Sequence, residues 1–192
     1  MPTPVPAYPS GYCLGSGKAP IQIEAFIDLE CPFSKKAWPT LLALINQDPS
    51  DRLAITAQPT VLSHHRQSWD MVKAVTAVAA PDPLKGWKFI GHLFQNQERY
   101  DSTTFATQTH QDLLALIKTL IQEFDDALPA DHLVKEIGDE ESAIARRAKA
   151  SVRYAMSRGV WSTPTFLING SEVPQLESSS TIRDWNEFLN SL

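Results

Sequence analysis

The sequence predicts an α/β domain, and three stretches of it carry that prediction. A strand-like run over 21–28 gives way at Pro32 to a helical pattern, which returns to a strand-like run over 52–62. From residue 64 to about 159 the pattern is almost entirely helical. Then come a short apolar run at 165–168, the dipeptide Asn169-Gly170 and a second run at 172–176. Asn-Gly between apolar runs is a strong signal for a tight hairpin.

Taken in order, residues 1–10 (Met1-Pro2-Thr3-Pro4-Val5-Pro6 and on) read as an extended tail with neither the basic region nor the apolar core of a secretory signal. The first strand opens after Pro20 and is rich in isoleucine. Pro32 suits the first helical turn, where its missing N–H costs nothing. Phe33, Ala37, Leu41, Leu42 and Ile45 then share one helical face, Pro39 should kink the helix, and Asp48-Pro49-Ser50 should end it. Leu53, Ile55, Ala57, Pro59 and Val61 mark the next strand, which makes a right-handed βαβ unit with parallel strands.

The block that follows divides into helical patterns at 69–80, 84–97, 112–128 and 140–156, punctuated by Asp82-Pro83, Ser102-Thr103-Thr104 and Leu128-Pro129. Ile182, Trp185, Phe188 and Leu189 give a final amphipathic helix over 180–192. The expected organisation is therefore a tail at 1–10, a first core half at 11–62, a helical insertion at 63–158 and a second core half at 159–192.

With 192 residues and a formal charge of −5, the chain lacks the basic footprint that nucleic acid or an acidic membrane surface requires. No stretch approaches the ~20 apolar residues of a membrane span. Two cysteines, Cys13 and Cys31, do not make a disulfide framework, so a reducing, cytoplasmic location is expected. No metal site is expected, because the five histidines and two cysteines show no ligand spacing.

Cys31 stands where the first strand runs into the first helix. A thiol there faces unpaired backbone N–H groups and the positive end of the helix dipole, which favour the nucleophilic thiolate. The alternative is a structural cysteine. Asp28 and Glu30 oppose the anion, while Lys35 and Lys36 offset them. Three positions on is Ser34, where a dithiol site would need its second cysteine; its hydroxyl is a candidate donor to a Cys31 thiolate. Cys13 is placed beyond disulfide reach, since a strand of eight residues spans ~26 Å. His64 and His65 follow the second parallel strand, which brings them toward the pole of Cys31 as candidate proton carriers. The alternative there is a helix cap or a solvent-facing pair.

These motifs together resemble the DsbA-like branch of the thioredoxin superfamily. Cys31-Pro32-Phe33-Ser34 occupies the place of that branch's Cys-Pro-x-Cys, Pro39 resembles its helix-kinking proline, and 159–170 (Gly-Val-Trp-Ser-Thr-Pro-Thr-Phe-Leu-Ile-Asn-Gly) resembles the loop that carries its cis-proline. The helical block also lies where the branch has its insertion, so the resemblance runs from about Gly11 to the C-terminus.

The resemblance implies a thioredoxin-like core with a large helical insertion and a cis bond before Pro164. It also implies a substrate-binding edge formed by Pro32, Phe33, Thr163 and Pro164, with the Thr163 backbone beside Cys31 to pair with an extended peptide. Two departures stand out. Ser34 replaces the resolving cysteine, and Ala25 occupies the position of the family's buried acid, six residues before the thiol.

The expected activity is that of a monothiol thiol-disulfide oxidoreductase with no bound cofactor. Cys31 would form mixed disulfides with protein or peptide disulfides or with glutathione conjugates, resolved by an external thiol such as glutathione. Two alternatives stand beside it: a peptide-binding module without turnover, and an enzyme resembling the kappa-type glutathione transferases, in which Ser34 would activate the glutathione sulfur.

Overall fold

Five strands form one mixed sheet in the computed structural model, which describes residues 10–48, 51–80 and 82–192. The spatial order is β1 (Tyr12–Gly15), β3 (Leu53–Thr60), β2 (Ile21–Asp28), β4 (Thr165–Ile168) and β5 (Ser171–Glu172). β2 and β3 run parallel, joined by α1 (Pro32–Asn46) as the βαβ pattern required; every other pairing is antiparallel. Between β3 and β4 come α2 (Ser68–Ala79), α3 (Pro83–Gln95), a 3-10 turn at Gln97–Arg99, α4 (His110–Phe124), α5 (Ala130–Gly138) and α6 (Ala143–Ser157). The last helix, α7 (Ile182–Leu189), follows the hairpin. This is a thioredoxin-like α/β core with a large inserted helical block.

Alternation along β2 builds two buried layers. Ile21, Ile23, Ala25 and Ile27 join the main core with Trp38 and Leu41 of α1 and Trp185 of α7, whose ring meets Phe166 edge-on at 5.0 Å. Phe26 points the other way, into a small cluster with Ala155 and Leu167. Glu24 shares that second side: its Oε2 accepts from Tyr154 Oη at 2.7 Å and Gln58 Nε2 at 3.1 Å. Burial, reinforced by the Glu24 carboxylate, pushes the Tyr154 phenol up to about 12. No acid faces the main core beside Ala25.

The structure differs from the sequence reading where short side-chain signals override periodicity. β1 was not anticipated; its four residues pair with β3 and half-bury Tyr12 and Leu14. β1 ends opposite Ala57, so Pro59 needs no N–H on that side of β3. α4 begins at His110 because Thr109 and Asp112 form a capping box, and α6 begins at Ala143 because Ser142 Oγ accepts from Ala145 N at 3.0 Å. β5 is only two residues long, with Pro174 closely following. Asn169 and Gly170 both have positive φ (49° and 83°), the conformation a two-residue hairpin turn needs. Except for Ser10, the expected tail at 1–10 lies outside the described residues, as do Pro49 and Ser50. Among the described residues no helix is long and apolar enough to cross a membrane.

Candidate active site

The parallel strands β2 and β3 end side by side at Asp28 and Thr60, so the segments after them emerge at one pole. β4 runs antiparallel from Thr165, opposite Phe26, and its lead-in arrives at the same pole. Cys31 sits there as the N-cap of α1, with φ −75° and ψ 120° and Pro32 behind it. No side chain caps this helix, so its first-turn N–H groups are left to the sulfur. Cys31 is buried, and its Sγ donates to Thr163 O at 3.3 Å. The Thr163–Pro164 peptide bond is cis.

The floor under this thiol is polar and closed. Asp28, fully buried, receives Glu30 N at 2.9 Å and the Ser68 hydroxyl on Oδ1, and Leu62 N at 2.7 Å on Oδ2. His65 Nδ1 lies 3.0 Å from the same Oδ2, in ion-pair range but off the hydrogen-bond axis. Contact with Asp28 raises the His65 pKa above the ordinary imidazole value, against the lowering effect of burial. Glu30, also buried, accepts from Gln67 N at 2.9 Å and from the Ser102 hydroxyl. The carbonyls of the same loop are held too. Gln97 Nε2 donates to Leu29 O at 2.9 Å and Cys31 O at 3.1 Å, and Tyr100 Oη lies 3.0 Å from Leu29 O. The helical block therefore clamps the cysteine loop from outside the core. Burial next to Asp28 and Glu30 drives the Tyr100 phenol well above its usual range.

Ser34 is fully buried, and its Oγ accepts from Asp28 N at 3.2 Å. His65 faces Asp28 rather than the sulfur, while His64 is exposed with its ring 4.2 Å from that of His65. Pro32 and Phe33 lie on the surface, Phe33 at 59% exposure, and Trp161 stands out at 84%. Thr163 is buried, and its Oγ1 has no hydrogen-bond partner among the described residues. Lys35 is drawn away to Glu98. Cys13 is exposed on β1, opposite Thr56 and so level with Glu24, well down the sheet from Cys31; both cysteines are free. Among the described residues no group of three His, Cys, Asp or Glu side chains is placed to hold a metal ion.

Sequence reasoning found the thiol, the loop opposite it and the two histidines. It missed the clamp (Ser68, Gln97, Tyr100 and Ser102), and it read Asp28 and Glu30 only as unfavourable charges. A polar residue inside a helical pattern carries no mark of its partner across 66 to 72 positions. The one available signal was the pair of acids flanking Leu29, which no buried loop tolerates without donors.

The thioredoxin family model matches residues 8–191, and the chain belongs to that family. No curated protein matches it. Among solved structures, it is similar to a Pseudomonas syringae protein whose description proposes a protein-disulfide isomerase (21% identity, TM-score 0.77, covering 93% of this chain and 97% of that one). It is also similar to oxidised BdbD from Bacillus subtilis (19% identity, TM-score 0.74, 94% and 91% covered). A third is a periplasmic thioredoxin-like protein from Salmonella enterica serovar Typhimurium (17% identity, TM-score 0.68, 96% and 91% covered). These likenesses establish the DsbA-like architecture, here with one thiol in a thiol–disulfide type of site.

They also correct the expected cytoplasmic location, because the fold is shared almost end to end with a protein described as periplasmic. The cytoplasmic reading rested on the low cysteine count. That count speaks to structural disulfides, and a domain held by its apolar core needs none in either compartment.

Proposed function

We propose that the protein is a monothiol exchange enzyme acting on protein or peptide disulfides and on glutathione conjugates. The Cys31 thiolate attacks one sulfur of the substrate disulfide, forming Cys31–S–S–R, and the other sulfur leaves as a thiolate that takes up a proton. An external thiol then attacks the mixed disulfide, leaves as the new disulfide with R, and returns Cys31 as thiolate. Oxidation and reduction balance within each exchange, so no cofactor is needed.

The observation that supports this most is the meeting of an uncapped helix N-terminus, Cys31 Sγ and Thr163 O, with no second cysteine in the motif. Thr163 offers its backbone to an extended substrate, with Pro32, Phe33 and Pro164 beside it as the binding edge. Ser34 uses an oxygen lone pair on Asp28 N and keeps its proton for the sulfur one turn away. Its complete burial stands against the serine-centred transferase reading. We assign proton exchange with the Asp28 side of the site to His65 and a solvent relay to His64.

The test treats Cys13→Ser protein with glutathione disulfide and follows its mass. One glutathione adduct on Cys31, released by reduced glutathione or by a cysteine-containing peptide, is the expected result. Protein that binds peptide but never gains the adduct would overturn exchange in favour of a binding module.

A further inference from the structure

Four buried side-chain nitrogen or oxygen atoms have no hydrogen-bond partner among the described residues, and they sort into two places. Thr163 Oγ1 and His65 Nδ1 belong to the Cys31 site. The other two, Trp38 Nε1 and His92 Nε2, belong to residues lining a separate cleft of about 630 Å³ between α1 and α3, closed at one end by Phe124. Trp38 lies seven residues beyond Cys31, about 10 Å further along α1. Buried polar atoms in a folded protein almost always find partners, so two orphans on one cleft point to a missing third party.

The cleft has the make-up of a small-molecule site. Leu14, Leu42, Trp87 and Phe124 form apolar walls, and Trp38 and Trp87 stack at 4.5 Å. On α3, Leu84, Lys88, Gly91 and Gln95 fall along one line of the helix, all lining the cleft. Gly91 is the notch in that ridge. A Cβ built there meets only Trp38 Nε1 within 4 Å, at 3.2 Å, so the space over Gly91 borders the orphaned indole N–H. An indole can only donate, so the occupant presents an acceptor. Lys88, exposed on the rim, has no ion-pair partner among the described residues. It adds a demand for negative charge.

We propose that this cleft binds an amphipathic monocarboxylate. Its apolar body lies against Leu42, Trp87 and Phe124, one carboxylate oxygen accepts from Trp38 Nε1 over Gly91, and the other faces Lys88. A cleft of this volume is within the usual range for such ligands. The site is distinct from Cys31 and independent of thiol exchange.

The full-length protein is titrated with sodium decanoate below its micelle concentration, following tryptophan fluorescence and the indole N–H resonances. Saturable quenching is expected, with a shift of the one resonance that disappears in Trp38→Phe. Decanol should bind more weakly than decanoate. Lys88→Gln, an exposed change that leaves the fold alone, should weaken binding about threefold, and Gly91→Ala should abolish it by filling the notch. Decanol binding as tightly as decanoate, binding untouched by Gly91→Ala, or no saturable signal would each overturn the proposal. The last outcome would leave water as the partner of the two orphans.

Discussion

Asp28 and Thr163 are both bonded to Cys31, the first through its carbonyl to the cysteine N–H and the second through its carbonyl to the sulfur. Beyond that they part. The Asp28 carboxylate is met by four other residues, whereas the Thr163 hydroxyl has no partner among the described residues. Around Asp28 the helical block closes every polar valence; around Thr163 a buried hydroxyl waits beside exposed Phe33 and Trp161. A fully satisfied network fixes geometry, while an unsatisfied edge invites a partner from outside. The floor holds the thiol, and the wall is left to the substrate.

Mutations on the two sides should therefore fail differently. Asp28→Ala would strand two backbone N–H groups, the Ser68 hydroxyl and His65, and we expect a loss of about 3–5 kcal/mol in urea unfolding. Gln97→Ala leaves the Leu29 and Cys31 carbonyls short of a donor and should cost about 1–3 kcal/mol by the same measurement. On the wall, Trp161→Ala should move stability by less than about 0.5 kcal/mol. It should nevertheless slow exchange with a peptide disulfide about threefold or more, leaving glutathione disulfide little affected. A large stability loss in Trp161→Ala would erase the distinction.

The smallest effect concerns pH. His65 has a folded-state pKa above its unfolded value, so its ion pair with Asp28 contributes fully below about pH 6.5 and is lost as pH rises through the folded pKa. His65→Gln should therefore cost about 1 kcal/mol near pH 5.5 and progressively less above neutrality, read as a narrowing gap between wild-type and variant melting curves. A gap that widens with pH would place the histidine in the floor as a neutral group.

How much of this was legible follows the same division. The wall was readable because it is local in sequence: Cys31-Pro32-Phe33-Ser34 and Ser162-Thr163-Pro164 are contiguous motifs, each set by one turn of chain. The βαβ unit and hairpin were readable from period and from Asn169-Gly170. The floor was not, because Gln97, Tyr100 and Ser102 are ordinary residues until the fold carries them to Leu29, Glu30 and Cys31. β1 escaped for a related reason: a four-residue strand with half-buried alternation is too short for its period to show.

The sheet order also governs when this protein can finish folding. β2 pairs with β3 after a short helical crossover, but its other edge waits for Thr165–Ile168, and Asn169 closes the seam by accepting from Gln22 N, 147 positions earlier. A chain still on the ribosome, with the helical block made but the last 30 or so residues not yet out, carries Ile23, Ala25 and Phe26 on an open central edge. Contacts of such sequence separation form late and slowly. A nascent or truncated chain ending before Thr165 is therefore the form of this protein most exposed to aggregation and most in need of a chaperone.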